Sequence, residues 1–255
     1  MPTVTVLEKL YAAVSPSAFE KSYSNLVNGL DVQVGFVGTT KNGWIQLDVS
    51  GTDQTIALSL FDREFGLAPD SLDGLKRFSA MRGRVAFSKK NASKLSVDLP
   101  AGSSSVTAVV SEKSLQGQLA DGKAVPFERM VELFCLVDNL PVEVKLSKVK
   151  GELKAVLSEV QVSLFRSWVQ MRVDRLMVFG VLFSDVEKAV NSCRLSRDVM
   201  RVESLGFLEQ AVLCKLGTDA VGLIPKLGRV LKSAVLVPFS PKKVIKQIGN
   251  EAFDD

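Results

Sequence analysis

Ser17-Ala18-Phe19-Glu20-Lys21 opens one stretch of this chain and Pro126-Phe127-Glu128-Arg129 opens another, and the same plan follows each. An amphipathic helix comes first, then a short strand, a glycine turn and two more strands. Gly43 and Gly151 stand at the two turns, with the same spacing that separates Phe19 from Phe127. Both stretches then reach Ser-Leu-Phe, at Ser59-Leu60-Phe61 and Ser163-Leu164-Phe165. The last spacing is shorter because the first copy carries a longer turn, Ser50-Gly51-Thr52-Asp53-Gln54. A unit of roughly 110 residues used twice predicts two similar domains.

Local signals fill in the plan. Val4 to Tyr11 reads as an opening strand. Ser15-Pro16-Ser17 starts a helix, with a serine cap and proline in the first turn, and Asn28-Gly29 ends it. Val32, Val34 and Phe36 alternate, as do Ile45, Leu47 and Val49, and Ile56, Leu58 and Leu60. Lys41-Asn42-Gly43 supplies the positive φ angles of a hairpin turn. A second helix is expected after Pro69-Asp70-Ser71, with Leu72, Leu75 and Phe78 inside. Three strands follow, Arg84 to Ser88, Lys94 to Leu99 and Ser105 to Val110.

The polar stretch that follows reads as a connector, with one strand at Ser114 to Leu119. Domain two then predicts a helix from Val125 to Asp138 and strands at Val142 to Leu146, Leu153 to Leu157 and Val160 to Phe165. A strand pair spans Val169 to Val181, a helix runs from Ser184 to Asn191, and the last strands lie near Val199 to Val202, Leu208 to Leu216 and Ala220 to Ile224. The fold class is α+β: two similar domains, each with antiparallel sheets on one side and two amphipathic helices on the other. The boundaries are 1–111, a connector at 112–125, 126–227, and a tail at 228–255 whose Val244, Ile245 and Ile248 share one face of a short helix.

Composition narrows the chemistry. With 46% hydrophobic and 24% charged residues, the 255-residue chain reads as soluble and globular, large enough for two cores. No apolar run approaches the ~20 residues of a membrane-spanning helix. The start, Met1-Pro2-Thr3-Val4-Thr5, lacks the basic-then-apolar pattern of a signal peptide. Cys135, Cys193 and Cys214 fit free thiols in a reducing compartment. Histidine is absent, which removes serine–histidine and cysteine–histidine nucleophiles and most zinc or non-haem iron sites. No phosphate-binding glycine loop is present. Asp62 with Glu64, and Asp70 with Asp73, read as a strand exit and a helix start. The expectation is a protein that is not an enzyme and uses neither metal nor cofactor. The net charge of +4 permits contact with nucleic acid without announcing it.

The order of elements resembles that of DNA sliding clamps, the processivity rings of replicative polymerases. The resemblance covers roughly residues 4–227. It rests on topology, on Phe127-Glu128-Arg129 leading into a helix, and on Gly222-Leu223-Ile224-Pro225-Lys226-Leu227 near the end of domain two. It implies a DNA polymerase processivity factor that encircles duplex DNA, independently of sequence, and tethers a polymerase. Polymerase and clamp loader would be its partners, and no membrane. Two domains cannot surround a duplex but six can, so the resemblance implies a homotrimer.

Such a ring needs cations on its inner helices. The expected DNA-binding set is Lys21, Lys76, Arg77, Arg82, Arg129, Lys188 and Arg194; the plain alternative for each is ordinary solvated helix charge. A partner groove beneath the connector implies Leu115, Leu119, Val125, Leu223, Ile224 and Pro225, whose plain alternative is core packing. Location follows the resemblance: intracellular, in host cytoplasm for a phage protein or the nucleus for a eukaryotic one. The slightly basic charge also suits a monomeric clamp-like processivity subunit, and a viral structural or matrix-type assembly protein is the other alternative.

Overall fold

The computed structural model describes residues 3–12, 14–71, 76–87, 93–148 and 152–253. The protein is α+β and is built on three sheets, one of them a closed barrel.

The first sheet takes β1 (Thr3–Lys9), β2 (Val32–Thr39) and β3 (Trp44–Gly51) in the antiparallel order β1-β3-β2. Its hairpin turns at Lys41-Asn42-Gly43, and Gly43 has the expected positive φ of 86°. α1 (Pro16–Leu26) starts where the serine-proline signal put it, with the Ser15 side chain accepting from the Ser17 amide. The Ile56 to Leu60 stretch is not a strand. It belongs to α2 (Gln54–Glu64), which buries Ala57 and Phe61 at helical spacing and leaves Ile56 outside. Phe19, Tyr23, Ala57 and Phe61 pack from the two helices onto Val6, Ile45, Leu47 and Val49.

The barrel is built from β4 (Ala80–Val85), β5 (Lys94–Ala101), β6 (Ser104–Ser111), β7 (Pro141–Lys148) and β8 (Lys154–Leu157). They close in the order β4-β5-β6-β8-β7, with β6 and β8 parallel and every other pair antiparallel. A parallel pair cannot be joined by a tight turn. The crossover here carries α3 (Glu112–Leu119) and α4 (Phe127–Leu133), then β7. The Ser114 to Leu119 segment is therefore helix, not strand. The expected helix from Val125 to Asp138 stops at Leu133, and Cys135 follows with φ 52°. Barrel strands come from both sides of the 112–125 stretch, whose Leu115 and Leu119 are buried in the barrel's own core.

The third sheet follows α5 (Glu159–Gln170), where strands from Val160 and from Val169 were expected. Phe165, Trp168 and Val169 are its buried apolar residues, while Val160 and Leu164 remain outside. β9 (Arg175–Phe179), β10 (Val199–Ser204), β11 (Glu209–Cys214) and β12 (Val235–Phe239) form an antiparallel sheet in the order β10-β11-β9-β12. α6 (Phe183–Ser192) and α7 (Ala220–Val230) cover one face. The other face joins the barrel core through Met177, Phe179, Ala211 and Leu213. The Ala220 to Ile224 segment thus lies in a helix and not in a strand. α8 (Pro241–Ile248) buries Val244 and Ile248, as the tail pattern implied.

The repeat acquires a limited meaning. Helix, antiparallel hairpin, helix does recur, as α1-β2-β3-α2 and as α4-β7-β8-α5, and Phe61 and Phe165 are both fully buried. The first hairpin, however, lies in an open sheet and the second closes a barrel. The sheets therefore show no duplicated clamp-type domain. The expected helix after Ser71 has Leu72 and Leu75 outside the described residues, and Phe78 sits in a turn with φ 69°. Among the described residues, no helix is long and apolar enough to cross a membrane.

Candidate nucleic-acid interface

The barrel's outer surface meets the rest of the molecule in two ways. Along β5, residues Leu95 to Ala101 are all buried, on the outward side as well as the inward one. The first sheet covers that outward side. Lys9 Nζ reaches Asp98 Oδ2 at 2.5 Å, and both side chains are less than a tenth exposed. Trp44 Nε1 donates to the same oxygen at 3.1 Å, and Asn42 Nδ2 donates to Asp98 Oδ1 at 3.3 Å. The Lys9 ammonium also sits 4.6 Å from the centre of the Trp44 ring. Thr5 Oγ1 donates to the Gly102 carbonyl at 2.8 Å. Every group that a charged interface of this kind buries is matched.

Around β4 and β7 the surface is open. A cleft of about 1180 Å³ runs between α1, the barrel, α5 and the start of α6. Three expected DNA-binding residues share it: Lys21 of α1, Arg82 of β4 and Lys188 of α6. All three are exposed. Lys21 stands one turn from Ser17 and Asn25, so a single helical face of α1 forms that wall. Lys188 is 3.5 Å from Asp185, a pair too solvated to hold it firmly. Glu64 and Glu143 also line the cleft, so the cations are interspersed with acids. The opposing wall is apolar: Val160, Leu164 and Trp168 recur at helical spacing on α5, and Phe183 opens α6.

The other predicted residues lie elsewhere. Arg77 donates to the Ser147 carbonyl at 3.0 Å beside exposed Lys76. Arg129 is tied to Glu132 at 2.5 Å. Arg194 holds the left-handed turn after α6, at φ 55°. The expected partner groove does not assemble. Leu115, Leu119 and Val125 are buried with the barrel, whereas Leu223 and Ile224 pack under the third sheet's helices. Pro225 is exposed inside α7. The other five are core packing divided between two cores.

The cleft floor holds a charged group that the sequence pattern did not single out. Arg84 of β4 is fully buried, with Nη2 against the Glu8 carboxylate and Nη1 3.1 Å from Glu209 Oε2. Nη2 also donates to the Leu7 carbonyl at 3.2 Å, and the Phe207 amide donates to Glu8 Oε2 at 3.0 Å. Burial pushes Glu209 up to about 7; Arg84 pulls it down and Glu8 pushes it further up. Burial works to lower the Arg84 pKa, but Glu209, Glu8 and Tyr11 outweigh it and raise the value, so the guanidinium stays charged. Tyr11 is raised above the ordinary phenol value by burial and then by Glu209. In the sequence the three residues are single charges on separate strands, with nothing local to link them.

Among the described residues, no group of histidine, cysteine or carboxylate side chains is arranged to hold a metal ion. Asp62 accepts from the Leu67 amide at 3.0 Å, a turn contact, and Asp73 lies outside the described residues. Cys135 and Cys214 are buried, and burial raises both thiols to about 12.

The molecule is thus an α+β protein whose barrel is covered along β5 by the first sheet and opens on a charged cleft beside β4 and β7. Its two ends match the two models of one family: residues 3–71 the DUF2110 N-terminal domain and residues 173–238 the DUF2110 C-terminal domain. These spans coincide with the first sheet and the third, and neither reaches the barrel strands. No curated protein matches the chain.

Proposed function

We propose that the protein binds single-stranded nucleic acid in the cleft, without base readout and without catalysis. The observation that carries this reading is the convergence of Lys21, Arg82 and Lys188, from a helix on the first sheet, a barrel strand and a helix on the third sheet, on one groove with an apolar wall. Proteins that hold single strands combine a cationic track for the backbone with aromatic surfaces for the bases. Phe183, 36% exposed at the cleft edge, offers such a surface. The volume of about 1180 Å³ exceeds the ~300–1,000 Å³ of small-molecule pockets.

The barrel supports the same reading. Its order, with the third and fifth strands parallel, is that of barrels that bind oligonucleotides or oligosaccharides. Those barrels use the face of their second and third strands. Here the second strand, β5, is closed off by the Asp98 contacts, so the ligand surface moves to β4 and β7.

The test is fluorescence anisotropy with labelled single-stranded RNA, single-stranded DNA and duplex DNA over a salt series. Wild type should bind a single strand in preference to duplex. Lys21→Ala/Arg82→Ala/Lys188→Ala should weaken binding roughly tenfold at low salt and flatten the slope of log K against log salt by about 2. Unchanged affinity in the triple variant, or no salt-dependent binding to any probe, defeats the reading. A sliding clamp makes the opposite demands: preference for duplex and a mass three times 27.7 kDa by light scattering.

A further inference from the structure

Three strands from three sheets each deliver one charged residue to a buried cluster: Glu8 from β1 and Arg84 from β4, which line the cleft, and Glu209 from β11, which lies beneath them. Side-chain exposures are 11%, 2% and 1% respectively. The guanidinium joins all three sheets, because each carboxylate it touches is carried by a different one. The contact continues beyond the triad. Phe207, just before β11, donates its amide to Glu8, and Tyr11 accepts from the Gly180 amide at 3.2 Å. Gly206 allows the close approach: a Cβ there would stand 2.2 Å from Glu209 Oε2 and 2.9 Å from Arg84 Nη1.

The charges do not balance. Two carboxylates share one guanidinium, so the fully ionised cluster carries one excess negative charge, with Glu209 only 1% exposed. Among the described residues, the titratable groups facing Glu209 are Arg84, Glu8 and Tyr11, and none supplies a second positive charge. Besides Arg84, the neighbours that favour the ionised Glu209 are the Tyr11 hydroxyl and the Leu208 amide, both neutral donors, and burial outweighs them. An uncompensated buried charge is costly, and the group that bears it takes up a proton instead.

We propose that this cluster is a proton-operated latch: with a proton on Glu209 the three sheets are held together around the cleft, and without it the third sheet loosens from the barrel and first sheet. The proton comes from solvent and returns to it, converting carboxylate to carboxylic acid and back. Protonated, the cluster is neutral, with Glu8 and Arg84 as its one ion pair. Deprotonated, Glu8 and Glu209 compete for one guanidinium and repel each other.

Glu209 is raised from 4.5 to about 7 in the folded protein, so the sign follows. Between these values the folded state holds a proton that the unfolded or opened state releases. The stabilisation is therefore present at acidic pH and is lost as pH rises toward and through about 7. The functional consequence rests on the cleft being the nucleic-acid surface: the open form adds negative charge to the floor, so an anionic backbone binds more weakly at alkaline pH.

The test uses the full chain without nucleic acid. Hydrogen exchange is followed by mass spectrometry from pH 6 to 8.5 and corrected for intrinsic rates. Protection of the peptides holding Gly206 and Phe207, relative to those of β5, should fall about tenfold between pH 6 and 8, as release of one proton allows. Glu209→Gln, which copies the protonated form, should keep its pH 6 protection throughout. A flat wild-type profile, or a Glu209→Gln profile that follows wild type, overturns the latch. Should Glu209→Gln fail to fold, Glu8→Gln serves: removing the repelling carboxylate should move the wild-type transition to lower pH, and an unmoved transition overturns the proposal. Oligonucleotide anisotropy at pH 6 and 8 separates the two ideas. A working latch in a protein that binds no strand leaves the latch standing and removes only the nucleic-acid reading.

Discussion

Two buried charge clusters lie side by side on one face of the barrel, at Asp98 of β5 and at its cross-strand partner Arg84 of β4, and they differ in stoichiometry. At Asp98, one carboxylate receives Lys9, Trp44 and Asn42, so donors meet an acid able to accept them all. At Arg84, one guanidinium meets two carboxylates, so acid is in excess. The first arrangement matches each buried donor to an acceptor and acts as a fixed seal. The second has a surplus group that burial has raised into the neutral range. Depth alone does not separate a structural ion pair from a responsive one; the ratio of acid to base around it does.

The largest effect should come from breaking the seal. Asp98→Ala leaves the Lys9 ammonium buried without a partner, which costs about 3–5 kcal/mol when one member of such a pair is removed. Urea denaturation measures it. A loss under about 1 kcal/mol would mean that water reaches Lys9 easily, and the contrast between the two clusters would collapse. At the neighbouring Arg84 cluster, Gly206→Ala forces a methyl against Glu209 and Arg84 and should cost about 2 kcal/mol by overpacking. The same denaturation reads it. A neutral substitution would show that the Arg84 cluster is already loose in the folded protein.

These clusters show where sequence reading succeeds and where it stops. Alternation revealed β2, β3, β5, β6 and β7, and Ser15-Pro16 and Lys41-Asn42-Gly43 marked a helix start and a hairpin correctly. The α+β class was legible for that reason. α2, α5 and α7 were not. Ile56, Leu58 and Leu60 alternate, as do Val160, Val162 and Leu164, but packing follows Ala57 with Phe61 and Phe165 with Trp168 and Val169. Pro225 argues against a helix, yet it sits on the exposed side of α7. Strand partners were hidden altogether, because a residue pattern reports which face is buried and not which strand lies alongside. The parallel β6–β8 pair, bridged by two helices and a strand, leaves no local trace. In the cleft, Lys21, Arg82 and Lys188 were each legible as candidate cations; their meeting was not. Glu8, Arg84 and Glu209 were missed because they come from three strands far apart in the chain, and their strands carry other polar or charged residues that make none of them stand out.

The smallest expected effect tests that meeting directly. Arg129 and Arg194 carry the same charge as the cleft cations and arose from the same reading, but neither lines the cleft. Arg129 is also engaged by Glu132 one turn away. If net charge drives nucleic-acid binding, removing either should weaken it about as much as removing Lys21, since long-range attraction depends little on position at low salt. If the cleft is the site, Arg129→Ala and Arg194→Ala should change the anisotropy-derived Kd less than twofold, with an unaltered salt slope, because no phosphate contact is lost. Both variants should keep wild-type stability within about 0.5 kcal/mol, as exposed substitutions do. A loss at Arg129 equal to that at Lys21 would move the binding surface out of the cleft and onto the wider basic surface of the protein.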